Sequence, residues 1–313
     1  MEKGKRIVHI VLIGLAYGYL GYKIATYDNY AGLTMQFRQA EWWQYVCLAV
    51  SVLLFPVNRL CEAWKWRFLV RGIEPMNMWE AQRQVYYGTI AGFVTPYKLG
   101  EYPGRAMLFK QTGQHWLTAT CMGMIGGYAM TTVIVVLGLP AAIWWLKPDG
   151  SLLWSVALAL MSATIAIFAL PELMRHLRKR TWKSEQTRLL IDTMADLNYH
   201  DVAVLLGISL VRYAVFSLQL LLTLLFCGVK LDVLSMTVCL PLYYLLITVT
   251  PNVPAAEIAV RGAWAVAIFE RFGADISAAA VIATLVLWAI NTILPLIVGS
   301  LVAGNRQKNA KNI

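Results

Sequence analysis

The chain has 313 residues, of which 59% are hydrophobic and 14% charged, and its mean hydropathy is +0.58. Soluble domains carry about 25% charged residues, so this composition excludes a soluble globular protein and defines a polytopic membrane protein. The net charge of +10 does not imply nucleic-acid binding, because Lys and Arg collect at the ends of the apolar segments, as membrane topology requires.

A spanning helix needs about 20 mostly apolar residues. In chain order the candidates are 7–27, 44–64, 117–139, 151–170, 202–227, 233–249 and 275–303, about seven spans. The first is rich in aromatics and lacks a small-residue cleavage site, so it reads as a retained helix rather than a signal peptide. Asn58, Arg59, Glu62 and Lys65 fall at the end of the second span, where an interfacial anchor with Trp64 and Trp66 in the aromatic belt is expected. Two stretches, 78–115 and 255–271, are semi-polar and do not make clean spans. The 171–201 loop has a basic first half and apolar residues at helical spacing (Leu173, Leu177, Leu189, Leu190, Met194, Leu197). It serves either as a topology signal or as a contact for anionic headgroups, each cation contributing about 1 kcal/mol near the surface. In the last span, Asn291 and Pro295 mark a kink or an interhelical hydrogen bond.

Orientation follows from the cations. Lys3, Lys5 and Arg6, the segment after the second span, the 171–201 loop and the tail are basic, whereas 28–43, 147–150 and 228–232 hold one cation each (Arg38, Lys147, Lys230). Both termini and the 171–201 loop are therefore expected in the cytoplasm. Parity then makes 78–115 enter and leave from the cytoplasmic side, or lie on the surface, and makes 233–271 enter and leave from the outer side. The expected fold is all-α: a single integral membrane domain over 1–313 with two re-entrant helical hairpins in an inverted repeat. Its first half, 1–140, holds hairpin 78–115; its second half, 202–303, holds hairpin 233–271; 304–313 is a cytoplasmic tail.

Each hairpin carries the same motif. Residues 95–105 read TPYKLGEYPGR and 250–261 read TPNVPAAEIAVR: Thr-Pro, a short spacer, then Glu-x-x-x-Arg. Proline breaks a helix, and irregular backbone at membrane depth is tolerated only in protein or beside water. Glu101 and Arg105, like Glu257 and Arg261, are four apart and share a helical face in the favourable order. Such pairs either pin the turns or hold each guanidinium ready for a phosphate, which Arg binds in bidentate fashion. Lys98 and Gly100 lie within the first turn, the glycine allowing close approach. Arg212 falls about 15 Å into the fifth span at 1.5 Å per residue, near the midplane. A place in a polar cavity is expected for it, the competing reading being an ion pair with a buried Glu. Gln219, two turns on, continues its stripe.

Catalytic and metal motifs are missing from the sequence: there is no GxSxG, HExxH, CxxC or Walker pattern. The five cysteines and four histidines are scattered. No catalytic residue, metal or cofactor is expected.

The first motif, Pro96-x-Lys98-x-Gly100-Glu101 followed by Arg105 and Met107-Leu108, resembles the signature of the flippase-like transmembrane domain, the membrane half of lysyl-phosphatidylglycerol synthases, which also occurs alone. The second, Pro254 through Ile258-x-Val260-Arg261 and the helix from Ala263 to Phe269, is similar to that family's second loop. There Ala255, Ala256 and Glu257 replace the usual glycines. The chain ends ten residues past the last span, so no aminoacyl-transferring domain, and no synthase activity, is expected. The resemblance implies a lipid flippase of the bacterial cytoplasmic membrane, not driven by ATP. Lys98, Glu101 and Arg105 match the family motif directly; with Gly100, Arg212, Glu257 and Arg261 from the reading of the residues, they make the expected site for a phospholipid or polyprenyl-phosphate-linked lipid. A separate lipid synthase is an expected partner, and an oligomer is compatible with the sequence. The competing readings are an intramembrane lipid transferase and a membrane scaffold.

Overall fold

The computed structural model describes Arg38, residues 40–93, 95, 98–109, 114–146, 172–182, 185–250 and 256–301, with six positions between 154 and 169. The expected span 7–27, most of 151–170, Pro96 and the turn 251–255 lie outside the described residues. Among the described residues all regular structure is helical. The helices are α1 (Trp42–Leu69), α2 (Met78–Phe93), α3 (Glu101–Ala106), α4 (Gln114–Leu146), α5 (Glu185–Ala195), α6 (Tyr199–Phe226), α7 (Val233–Val249), α8 (Glu257–Phe269) and α9 (Ala274–Trp288). Helix α9 continues through a π-helical turn to Leu301. Four of these helices are long and apolar enough to cross a membrane: α1, α4, α6 and the extended α9. Helix α7 is apolar but only 17 residues long.

Helix α1 shows why lipid is the solvent. Leu53, Val57, Leu60 and Trp64, spaced i, i+4, i+7, i+11, are 41–71% exposed. Asn58, Glu62 and Lys65, also one face, are at most 3% exposed. Hydrocarbon solvates the apolar face, so the polar face turns inward, the reverse of a helix in water. The expected interfacial anchor is therefore corrected: Asn58, Arg59, Glu62 and Lys65 are core residues. Trp66 is fully buried and donates its indole N–H to Gln84 Oε1 at 2.6 Å, whereas Trp64 alone keeps an outward position at 45% exposure.

The chain forms two compact units, each taking part of α1 and α6. One contains residues up to Phe55 with Phe216–Leu294, the other Pro56–Val215 with the residues from Pro295.

In the second unit, α2 begins with a reciprocal cap: Asn77 N–H donates to Glu80 Oε2 at 3.1 Å and Glu80 N–H to Asn77 Oδ1 at 2.8 Å. Helix α3 packs back against α2 at backbone distance because both contribute glycine. A Cβ on Gly88 would meet Arg105 Cγ and the Glu101 carbonyl oxygen at 2.4 Å, and one on Gly104 would meet Ala91 Cβ at 2.5 Å. Across α3, the Tyr102 ring lies on Gly123 and Gly127 of α4. Trp66, Phe109, Val85, Ile125 and Leu205 centre the apolar core, with the Trp66 and Phe109 rings 6.0 Å apart. Residues 172–178 and α5 are helical, and Leu197 and Met194 join this core, so part of the 171–201 segment docks rather than forming a free loop. Its Arg178 pairs with Asp192 at 3.2 Å and Asp196 at 2.9 Å.

In the other unit, α8 and α9 pack through small side chains, Ala259, Gly262 and Ala265 facing a helix with buried Ala279, Ala280 and Ala283. Gln219 is fully buried and donates to the Ser51 carbonyl at 2.9 Å; Asn291 Nδ2 donates to Gln219 Oε1 at 3.2 Å. The interhelical bond expected of Asn291 is thus present. The π turn over Ala289–Ile293 contains it. Pro295 has no N–H for the Asn291 carbonyl and crowds it, which accounts for the local widening.

Candidate functional site

Glu62 is the hub of the site, and sequence reading gave it no such place. Its Oε1 accepts from Arg105 Nη1 at 2.8 Å; its Oε2 accepts from Lys65 Nζ at 2.9 Å and from Arg212 Nη1. Arg212 Nε donates to Asn58 Oδ1 at 2.9 Å. Arg105, 1% exposed, also pairs with Glu101 through Nη2. Its guanidinium lies 5.2 Å from the centre of the Tyr102 ring and 5.6 Å from that of Trp66, within cation–π range. Arg59 is buried beside them, donating to Thr89 Oγ1 at 3.4 Å and within the electrostatic reach of both carboxylates.

Three elements converge to make this cluster. Helix α1 supplies Asn58, Arg59, Glu62 and Lys65; α3 supplies Glu101 and Arg105; α6 supplies Arg212. The glycine contacts of α2 with α3 bring Arg105 within reach of Glu62, since its aliphatic stem lies over Gly88. Among the described residues the cluster holds four cations (Arg59, Lys65, Arg105, Arg212) and two carboxylates (Glu62, Glu101), a surplus of two positive charges. The side chains are at most 6% exposed except Arg212 at 14% and Glu101 at 26%. Burying like charge is costly unless it is paired and hydrogen-bonded, so such a surplus favours uptake of an anion.

Of the residues singled out from sequence, Glu101, Arg105 and Arg212 are brought together, through Glu62. For Arg212 the ion pair with a buried Glu is the observed arrangement. Lys98 sits at the turn before α3 with a φ of 56°, the left-handed region rarely used by residues other than glycine, and lies close enough to Glu101 to act on it electrostatically. Gly100 donates its N–H to Thr95 Oγ1 at 2.8 Å, and a Cβ there would meet the Ala91 carbonyl oxygen at 2.6 Å. Its role is close approach.

Glu257 and Arg261 belong to the other unit. Arg261 Nη2 donates to Glu257 Oε1 at 2.9 Å, with Glu257 3% exposed. Tyr243, fully buried, faces Arg261 and Thr284. The two copies of the motif therefore differ: Glu257 and Arg261 pair within α8 beside Tyr243, whereas Glu101 and Arg105 join a cation-rich cluster.

What could have found Glu62 is the spacing of Asn58, Glu62 and Lys65 on the side of α1 opposite Leu53, Val57, Leu60 and Trp64. Among the described residues no group of three or more His, Cys, Asp or Glu is placed to hold a metal ion.

Fold and site define a multi-pass, all-helical membrane protein with a charged cluster buried in one unit. A family model for the lysylphosphatidylglycerol synthase TM region matches residues 7–299, and the chain belongs to that family, as its two motifs implied. The membership relates the protein to lipid handling. No curated protein matches the chain.

Proposed function

We propose that the protein binds the phosphate-bearing headgroup of a membrane lipid at the Glu62 cluster and moves that lipid across the membrane without ATP. The observation that carries this reading is the surplus of two positive charges among the described residues of the buried cluster. Arg105 and Arg212 would hold phosphate oxygens, and Glu62 and Glu101 would orient the guanidinium groups until the anion arrives. The acyl chains stay in the bilayer. The membrane is the bacterial cytoplasmic membrane, with both termini inside. With α7 assigned to a hairpin, six of the seven candidate spans cross the membrane, an even number as two cytoplasmic termini require, and 78–115 and 233–271 are re-entrant hairpins; α2 and α7, at 16 and 17 residues, are short for spans and suit this role. The Glu257–Arg261 pair, i,i+4 neighbours within α8, has the simpler task of steadying that helix.

The protein purified in mild detergent should carry a phosphate-bearing lipid enriched over the membrane average, identified by mass spectrometry. Arg105→Ala and Arg212→Gln should lose that enrichment while the proteins stay folded by circular dichroism. An unselective lipid profile, equal in wild type and both folded variants, would overturn the headgroup site.

A further inference from the structure

An apolar groove of about 510 Å³ lies on the outside of the second unit, between α1 and α6. Leu60, Cys61 and Trp64 line it from α1; Gly207, Ile208 and Val211 line it from α6. These residues alternate with the charged cluster along both helices. Cys61 precedes Glu62, Trp64 precedes Lys65, and Val211 precedes Arg212. One pair of helices thus presents charge on its inner side and a groove on its outer side.

Gly207 gives an independent sign. It stands inside a 28-residue helix, where glycine is a poor choice for backbone entropy. Packing among the described residues does not explain it, since a Cβ built there meets none of their atoms within 4 Å. The contrast is with Gly88 and Gly104, whose missing side chains are filled by α3 and α2. At Gly207 the missing side chain leaves the groove open.

We infer that this groove holds one acyl chain of a membrane lipid, seated beside Gly207, with that lipid's headgroup directed to Arg212. The second clause rests on the headgroup reading above; the first does not. The groove runs from Val204 to Val211 on α6, about 10 Å at 1.5 Å per residue, which suits a segment of an extended hydrocarbon chain. Its volume lies in the range of small-molecule sites, about 300–1,000 Å³.

The test is cross-linking of the full-length chain in phosphatidylethanolamine vesicles containing a trace of phosphatidylglycerol with a diazirine on one acyl chain. Adducts are mapped by mass spectrometry. They are expected on residues 60–64 and 204–211, reduced several-fold in Gly207→Leu and largely kept in Gly207→Ala. Leucine improves helix propensity and meets open space, and circular dichroism and a monodisperse elution profile check its folding. Labelling spread evenly over the lipid-facing helices and unchanged in Gly207→Leu overturns the groove, as does a protein–protein cross-link there showing a second copy in place. Arg212→Gln separates the two readings. Groove adducts that survive it but not Gly207→Leu uphold the groove and count against the headgroup site. Adducts elsewhere that vanish with Arg212 uphold the headgroup site and overturn the groove.

Discussion

Glu62→Gln is the most informative single change. The amide keeps the size of the side chain and removes its charge, leaving four buried cations with Glu101 as the single carboxylate among the described residues of the cluster. Glu62 takes Arg105 at 2.8 Å, Lys65 at 2.9 Å and Arg212 on two oxygens, so the change breaks three ion pairs at a site 3% exposed. Removing one partner of a buried pair costs about 3–5 kcal/mol, because the partner charge is stranded in low dielectric. At about 2 °C per kcal/mol for a chain of this size, the unfolding temperature should fall by roughly 6–10 °C. Thermal unfolding of the purified protein in one detergent, followed by circular dichroism, measures this. Arg59→Gln is the control of opposite sense: it reduces the surplus from two positive charges to one, so it should cost less than Glu62→Gln. If Glu62→Gln melts with the wild type, or Arg59→Gln is the more damaging, Glu62 does not organise the cluster.

Gly88→Ala should destabilise by about 1–3 kcal/mol or more, because its Cβ would sit 2.4 Å from a backbone carbonyl oxygen that cannot step aside; wild-type stability in the same melt would contradict the close packing of α2 on α3. The double exchange Glu257→Arg with Arg261→Glu should retain transport in vesicles if that pair only fixes its turn, whereas loss of transport in a folded protein would assign the second motif a direct role. Asp232 caps α7 by accepting from the Ser235 N–H at 3.0 Å, and the Ser235 hydroxyl, together with this N–H, holds its carboxyl below the usual aspartate range. A depressed folded value means its stabilisation is full above the ordinary carboxylate value, about 4, and is lost as pH falls through the lower folded value. Asp232→Ala should therefore be less stable than wild type at neutral pH and converge with it in acid, as read by paired melts across pH; a gap constant with pH would exclude the charged cap.

Some of this was legible in the order of residues. The apolar runs gave the helices α1, α4, α6 and α9 because hydropathy over about 20 residues decides partition into lipid, a property of local composition. The Thr-Pro and Glu-x-x-x-Arg motifs located α3 and α8, and both pairs formed as i,i+4 neighbours because that contact is made within one helix turn. Helix α1 ran five residues beyond its predicted end at 64, since Lys65 and Trp66 are buried by other elements rather than by lipid.

What only the tertiary structure decided is which charges meet. Glu62 with Arg105 and Arg212 joins residues 43 and 150 positions apart, and nothing in local composition distinguishes a charge that anchors at an interface from one that turns inward. That choice is made by the glycines of α2 and α4, whose missing side chains let α3 approach until its arginine reaches α1. The sequence by itself determined a membrane protein with paired charges in two places; close backbone packing made one of those places a buried cation-rich cluster, while the other keeps its pair within α8.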